Sequence, residues 1–157
     1  MSILDKYEFI TNSPKKTIAL GKVLGSLLSG GEVILLIGEL GTGKTTLIKG
    51  IALGLSIEEK VSSPSFVLIN EYRGRFKLFH FDLWRLQEDE DLGYDDYFSQ
   101  DGVYVIEWAE KAFKFLPDTY LKITISHIDR SKRRFLFIPK GRHFIDILDK
   151  LRYNINN

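Results

Sequence analysis

Eight consecutive residues combine glycines, a lysine and a threonine at a spacing that could hold a chain of phosphates. They read Gly38-Glu39-Leu40-Gly41-Thr42-Gly43-Lys44-Thr45, which matches the pattern G-x-x-x-x-G-K-[ST]. Glycines let the backbone turn tightly, so that successive N–H groups converge on phosphate oxygens. The Lys44 ammonium could neutralise the terminal phosphates, and the Thr45 hydroxyl could bind Mg²⁺. The segment predicts a site for a nucleoside triphosphate, with Thr46 completing it at the start of a helix.

The residues on either side of this loop support the same prediction. Val33 to Ile37 is an uninterrupted apolar run, typical of a strand buried on both faces of a parallel sheet. Apolar residues then recur at helical spacing from Thr46 to Leu55. A helix that begins at the loop adds partial positive charge where the phosphates would lie. A strand before and a helix after are therefore the context that a phosphate-binding loop requires.

A second part of such a site is an acidic side chain at the end of a neighbouring strand, which holds the metal or its waters. Glu107 ends the apolar run Val103 to Ile106, the stronger pattern for a buried strand. Asp82 follows Phe79-His80-Phe81, where the alternation predicts a strand exposed on one side. The carboxyl ends of strands are where α/β proteins bind ligands. The sequence alone leaves both acids as candidates.

The remaining pattern predicts one domain over residues 1–157, with strands and helices in alternation. Ser13 and Pro14 predict the start of a first helix with an apolar stripe from Ile18 to Leu28. Further strands are expected at 7–11, 66–72, 76–82, 103–107, 120–127 and 135–138, and further helices after Glu107 to about residue 115 and at the C-terminus. Gln87 to Asp96 predicts an acidic, solvated loop with a short helix. The fold class is α/β, a mainly parallel central sheet with an added antiparallel hairpin and helices on both faces.

Composition limits the possible functions. A net charge of +1 argues against broad electrostatic capture of nucleic acid, and the absence of cysteine excludes disulfides and thiol catalysis. No apolar run is as long as a membrane span and no signal peptide is recognisable, so we expect a cytoplasmic protein that uses no membrane. The basic run 130–134 is most simply a solvated turn, with an RNA, partner or phosphate contact as alternatives. The three histidines lack the spacing of metal ligands.

Four segments in this order resemble the TsaE (YjeE) family, the ATPase component of bacterial tRNA threonylcarbamoyladenosine synthesis. They are the loop from Gly38 to Thr46, then Val61-Ser62-Ser63-Pro64-Ser65-Phe66, then His80-Phe81-Asp82-Leu83-Trp84-Arg85-Leu86, and finally Glu107-Trp108. The first helix, from Ser13 to Gly21, is also similar. Two positions differ from the family: Ser65 replaces the usual Thr and keeps its hydroxyl, and Trp84 replaces the usual Tyr.

The resemblance implies a site for ATP and Mg²⁺ in which Lys44, Asp82 and Glu107 serve hydrolysis. Lys44 would hold the β- and γ-phosphates, and Thr45 and Glu107 would lie at the metal with Asp82 nearby. The loop from Ser62 to Phe66, including Ser65, would act as a nucleotide-sensing switch. Thr17 would lie on the adenine side.

The resemblance also implies partners. Proteins of this family act with two other subunits of a threonylcarbamoyl transferase complex, which modifies adenosine next to the anticodon of tRNAs that read codons starting with A. The ATPase is needed for repeated turnover rather than for the transfer itself. Because the sequence places no arginine beside the phosphates, we expect slow hydrolysis by the chain alone and faster hydrolysis with its partners. Direct contact with tRNA is left open.

Two other functions fit parts of the pattern. A small-molecule kinase could use the same loop with the basic run 130–134 as a lid, although no separate acceptor-binding segment is evident. A GTP-dependent switch would need N-K-x-D for guanine and D-x-x-G after the acid-ended strand. Asp82 is followed by Leu83-Trp84-Arg85, and N-K-x-D occurs nowhere in the chain. ATP is therefore the expected nucleotide.

Overall fold

A single seven-stranded sheet organises the chain, and the computed structural model describes residues 7–39, 41–61 and 68–156. The strands are β1 (Tyr7–Thr11), β2 (Val33–Ile37), β3 (Ile69–Arg73), β4 (Lys77–Asp82), β5 (Val103–Glu107), β6 (Tyr120–His127) and β7 (Arg133–Lys140). The helices are α1 (Pro14–Ser26), α2 (Lys44–Gly54), α3 (Tyr94–Phe98) and α4 (Arg142–Asn156), and a 3-10 helical segment covers Ala109–Phe115. The strand order across the sheet is β1-β7-β6-β2-β5-β4-β3.

The centre of the sheet is parallel and its margins are antiparallel. Strands β6, β2, β5 and β4 pair in parallel, whereas β3 and β7 run in the opposite direction against β4 and β6. Strand β1 is antiparallel to β7 and so points the same way as the central strands. The predicted fold class is thus confirmed, and the sheet carries two hairpins, β3–β4 and β6–β7.

Alternating side chains of the strands form a core on each face of the sheet. On one face, α1, α2 and α4 bury their apolar stripes through residues such as Leu24, Leu47 and Leu148. The other face is covered by α3 and the 3-10 segment, with aromatic residues such as Phe81 and Tyr94. Helices therefore lie on both faces, as expected, but the second face has only short ones.

Helices α1 and α2 touch through their backbones. A Cβ atom built on Gly50 would lie 2.4 Å from the Ile18 carbonyl oxygen, and one built on Gly21 would lie 2.6 Å from the Leu47 carbonyl oxygen. Gly25 and Gly54 meet the facing helix in the same way one turn later. Any side chain would separate the helices, so these glycines fix the position of α2 and of the loop before it.

Glu32 links the loop before β2 to α4 through hydrogen bonds. It is buried and accepts hydrogen bonds from the Ser29 and Gly30 N–H groups, each at 2.8 Å, and from the Ser29 hydroxyl at 3.0 Å. His143 Nε2 lies 2.8 Å from Glu32 Oε2. Burial raises the pKa of Glu32, but the hydrogen bonds from Ser29 and His143 outweigh burial and hold it below its ordinary value.

Several element boundaries differ from the sequence-based ones. Ser13 caps α1 as expected, with its hydroxyl 3.2 Å from the Lys16 N–H nitrogen. Helix α2 begins at Lys44 because Gly43 is the left-handed residue before it. The helix expected after Glu107 is a 3-10 segment that kinks at Ala112. On α4, Ile147 joins the buried stripe, whereas Ile145 is only half-buried. Within the described ranges, no helix is long and apolar enough to cross a membrane.

Candidate functional site

The predicted phosphate-binding loop lies at the carboxyl edge of the parallel strands, between β2 and α2. Gly41 and Gly43 have φ values of 78° and 106°, a region that glycine adopts without strain. The Thr42 hydroxyl donates to the Glu39 carbonyl at 2.7 Å and closes the turn. A Cβ atom on Gly38 would lie 2.8 Å from the Ile125 carbonyl oxygen, so this position also requires glycine. Leu40, which the pattern includes, lies outside the described residues.

Lys44 is the first residue of α2 and is 8% exposed. Its ammonium donates to the Gly38 carbonyl, which places the charge over the loop. The ammonium nitrogen is also 5.3 Å from the centre of the Trp108 ring, within range of a cation–π contact. The side chain that the sequence assigned to the phosphates therefore lies inside the loop. Thr45 and Thr46 follow it in the first turn of α2.

The two candidate carboxylates lie side by side across from the loop. Asp82 ends β4 and Glu107 ends β5, and the two residues are direct partners in the parallel register. Glu107 is also the register partner of Leu36, two residues before Gly38. Alternation along β4 and β5 directs both acids to the face on which α2 packs, because Leu78, Val103 and Val105 belong to that core. The structure thus brings both acids to the site.

Asp82 and Glu107 have different surroundings. Glu107 is 5% exposed, and its Oε2 atom lies 2.6 Å from Nε2 of the fully buried His80. Asp82 is half-buried and accepts a hydrogen bond from the Trp84 N–H at 3.2 Å. Burial and repulsion from Glu107 raise the pKa of Asp82, against the opposing effects of the Trp84 N–H, His80 and Lys44. Asp82 is therefore a stronger base than a free aspartate.

These groups surround an open cavity of about 430 Å³, a size suited to a small ligand. Its lining consists of Gly41, Gly43, Lys44, Thr45, Thr46, Asp82, Trp84, Glu107 and Trp108. A second cavity of about 270 Å³ shares Lys44 and Trp108 with the first and is also lined by Gly38 and Glu39. One ammonium, two threonine hydroxyls and two carboxylates therefore line the same cavity as the glycines of the loop.

The donor set suits magnesium. Hydroxyl and carboxylate oxygens are the ligands that Mg²⁺ prefers, and Mg²⁺ in phosphate sites takes few protein ligands beside waters and phosphate oxygens. In the described part of the chain, no group of three or more His, Cys, Asp or Glu residues could form a complete metal cage. Thr45 and Glu107 fit a Mg²⁺ site that has few protein ligands and is completed by waters and phosphate oxygens.

Two features of the site were missed by sequence reasoning. Trp84 is half-exposed and its ring centre lies 4.6 Å from that of Trp108, so the two indoles form one wall of the cavity. Trp108 has a φ of 60°, uncommon for a bulky residue and frequent at functional sites. Sequence analysis excluded His80 as a metal ligand by its spacing and did not predict that it is the partner of Glu107. The signal was the spacing H-x-D, which puts His80 and Asp82 on one face of a strand.

The other expected site residues fall in three groups. Thr17 is buried in the first turn of α1, bonded through its hydroxyl to that of Thr11 at 2.7 Å, and it does not line the cavity. Ser65 and the rest of the expected switch, residues 62–66, lie outside the described residues. In the basic turn, Arg133 donates to the carbonyls of Asp129, Arg130 and Lys132 and so braces the turn itself.

Comparison with known proteins identifies the family. The profile of one family, described as threonylcarbamoyl adenosine biosynthesis protein TsaE, matches residues 11–135. The chain belongs to the TsaE family. The tRNA threonylcarbamoyladenosine biosynthesis protein TsaE of Bacillus subtilis is 38% identical over 148 residues, which cover 93% of this chain and 94% of that protein. TsaE of Nostoc sp. is 42% identical over 141 residues, which cover 85% and 86%. The crystal structure of Bacillus subtilis YdiB superposes with a TM-score of 0.83 at 32% identity and covers 97% of both chains.

Proposed function

We propose that this TsaE-family chain is a Mg²⁺-dependent ATPase that serves tRNA threonylcarbamoyladenosine biosynthesis. The observation that carries the proposal is the meeting of Lys44 and Thr45, on α2, with Asp82 and Glu107, on β4 and β5, around one cavity. A phosphate-binding loop, a hydroxyl and strand-end carboxylates are the parts that phosphoryl transfer requires. The family name and the names of the relatives support the cellular role.

Each residue has a role that its surroundings favour. The loop N–H groups from Gly41 to Thr45 would bind the β-phosphate, where the N-terminus of α2 adds partial positive charge. Lys44 would leave the Gly38 carbonyl and neutralise the β- and γ-phosphates. Thr45 and Glu107 would hold Mg²⁺, which when bound spreads the charge that develops on the phosphate oxygens.

We assign the attacking water to Asp82. Its raised pKa, caused first by burial and then by Glu107, makes it a better proton acceptor than an ordinary aspartate. Glu107 is already engaged by His80 and is nearly buried, which suits a fixed ligand better than a base that must exchange protons with water. Asp82 is half-buried, and its contact with solvent suits a base that exchanges protons with water.

We further propose that partner subunits accelerate the reaction. Among the described lining residues, Lys44 is the sole cation, and none is an arginine. An arginine supplied to the phosphates is worth about 10³–10⁵ in turnover, so a site without one should hydrolyse ATP slowly. The two other subunits of the threonylcarbamoyl transferase complex are the expected source of activation, and tRNA is the substrate of that complex.

Reconstitution tests this proposal. The chain is mixed with the partner subunits, tRNA, threonine, bicarbonate and Mg·ATP, and modified tRNA and released phosphate are measured together. We expect several rounds of modification that depend on this chain, and their loss with Lys44→Ala. Lys49→Ala is the matched control, because Lys49 lies on the same helix but is exposed. Fast hydrolysis by the chain alone, unchanged by partners, would contradict the proposal.

A further inference from the structure

His80 is a fully buried polar residue in the middle of the sheet. It lies on β4, between Asn70 of β3 and Val105 of β5 in the register, and none of its surface is exposed. The one hydrogen bond of its side chain in the described structure joins Nε2 to Glu107 Oε2 at 2.6 Å. A buried histidine in a sheet core has a desolvation cost that an apolar residue would avoid. The contact with Glu107 is what offsets that cost.

The two ring nitrogens of His80 differ in their hydrogen bonding. Nδ1 is buried and has no hydrogen-bond partner among the described residues. A carboxylate oxygen accepts hydrogen bonds, so the 2.6 Å contact makes Nε2 the donor and Glu107 Oε2 the acceptor. Glu107 thereby gains one fixed hydrogen bond from a buried ring.

We propose that His80 is a positioning residue that orients Glu107 for the metal. This inference rests on the proposed function, in which Glu107 binds Mg²⁺. The Nε2–H donor holds Oε2 and so fixes the plane of the carboxylate, and Oε1 is the oxygen that we assign to the metal. The position of His80 in a strand between two others makes it a rigid support. Carboxylate ligands are commonly held in this way, and loss of such a support typically weakens metal binding or activity about 10–100-fold.

The test compares two substitutions of His80. His80→Phe keeps a flat ring of similar size but removes the donor, and His80→Gln places an amide N–H donor near the position of Nε2. Metal binding is measured by electron paramagnetic resonance with Mn²⁺ and a non-hydrolysable ATP analogue, and nucleotide affinity is measured separately in EDTA. We expect His80→Phe to weaken Mn²⁺ binding about 10–100-fold with unchanged metal-free nucleotide affinity, and His80→Gln to recover most of the binding.

A double-variant cycle separates positioning from general support of the fold. If His80 acts through Glu107, His80→Phe should weaken Mn²⁺ binding in the wild-type background but cause no further loss in Glu107→Ala. Equal losses in both backgrounds, or wild-type metal binding by a folded His80→Phe protein, would overturn the proposal. If the wild-type chain itself did not bind Mn²⁺ together with the ATP analogue, the proposed function would be refuted instead.

A measurement on the unmodified chain guards against misfolding of the variants. Nitrogen-15 spectra of the imidazole rings show which ring nitrogens of His80 carry a proton. The proposal requires a protonated Nε2 with a strongly deshielded proton, before and after Mg²⁺ and nucleotide are added. A proton on Nδ1 with Nε2 unprotonated would overturn it, because Nε2 could then not donate to Glu107.

Discussion

Gly50→Ala should disturb both the stability and the activity of the protein, although alanine is the better helix former. The new Cβ would lie 2.4 Å from the Ile18 carbonyl oxygen and 2.9 Å from Gly21 Cα. Both are backbone atoms that cannot rotate away, so the helices must part by about 1 Å to reach ordinary contact distance. Helix α2 begins at Lys44, so the same shift would move the predicted phosphate-binding residues relative to the carboxylates on the sheet.

The two opposing effects can be compared in magnitude. Alanine in place of glycine within a helix contributes about 1 kcal/mol of stability when nothing obstructs it. Overpacking of a core costs about 1–3 kcal/mol, and contact with backbone on both sides places Gly50 at the upper end. We therefore expect a net loss of about 2 kcal/mol, which lowers the Tm by about 4–8 °C in a chain of this size. A displacement near 1 Å can reduce turnover about 100-fold.

Thermal unfolding followed by circular dichroism, together with phosphate release from Mg·ATP, tests this expectation. Lys49→Ala is the matched control, because it puts the same residue type on the adjacent, exposed position of α2. The control should keep the wild-type Tm within about 2 °C and keep wild-type hydrolysis. A Gly50→Ala protein as stable as that control would show that α1 and α2 are not held by backbone contact, and the reasoning would fail.

Four further substitutions test the site and its electrostatics. Lys44→Ala should abolish ATP binding or hydrolysis, measured by calorimetry and phosphate release, and retention of both would remove Lys44 from the site. Glu107→Ala should reduce Mg²⁺-dependent hydrolysis more than it reduces ATP affinity, and wild-type turnover would mean that another carboxylate holds the metal. Asp82→Asn should raise the Tm at neutral pH, because burial and Glu107 raise the pKa of Asp82 and so penalise its charged form; the gain should shrink as the pH falls through that raised pKa. Glu32→Gln should lower the Tm at neutral pH. The difference from wild type is full above the ordinary glutamate pKa and should close as the pH falls through the lowered pKa of Glu32 in the folded protein. A pH-independent difference would contradict the account of Glu32.

Much of the fold and part of the candidate site could be predicted because the signals are local. The loop from Gly38 to Thr45 depends on residue types at fixed spacing, and β2 and β5 appear as continuous apolar runs. Ser13 was recognisable as a cap because its side chain bonds to a backbone N–H three residues on. Boundaries were predicted less accurately where the local pattern is weak, as in the 3-10 segment after Trp108. No local signal indicated that Trp108 itself has a left-handed conformation.

Contacts between distant segments could not be predicted in the same way. The bond from His80 to Glu107 spans 27 positions in the sequence and exists because β4 and β5 pair in one particular register. The wall formed by Trp84 and Trp108 arises from the same pairing. The four glycines of α1 and α2 could be seen in the sequence, but their purpose depends on which helix each one faces. A shift of register by one residue would have turned His80 and Asp82 to the opposite face.

The sequence by itself determined that this chain has a loop with the phosphate-binding pattern, two candidate acids at strand ends and an alternation of elements that yields an α/β sheet. These properties follow from backbone conformation and from the spacing at which apolar side chains repeat along the chain. Both depend on residues that are close together in the sequence. The tertiary structure alone decided that both acids share a cavity with Lys44, and that one of them is held by His80 while the other has a raised pKa. Burial, register and the electrostatic effect of one group on another are properties of separation in space, and only the folded chain sets those distances.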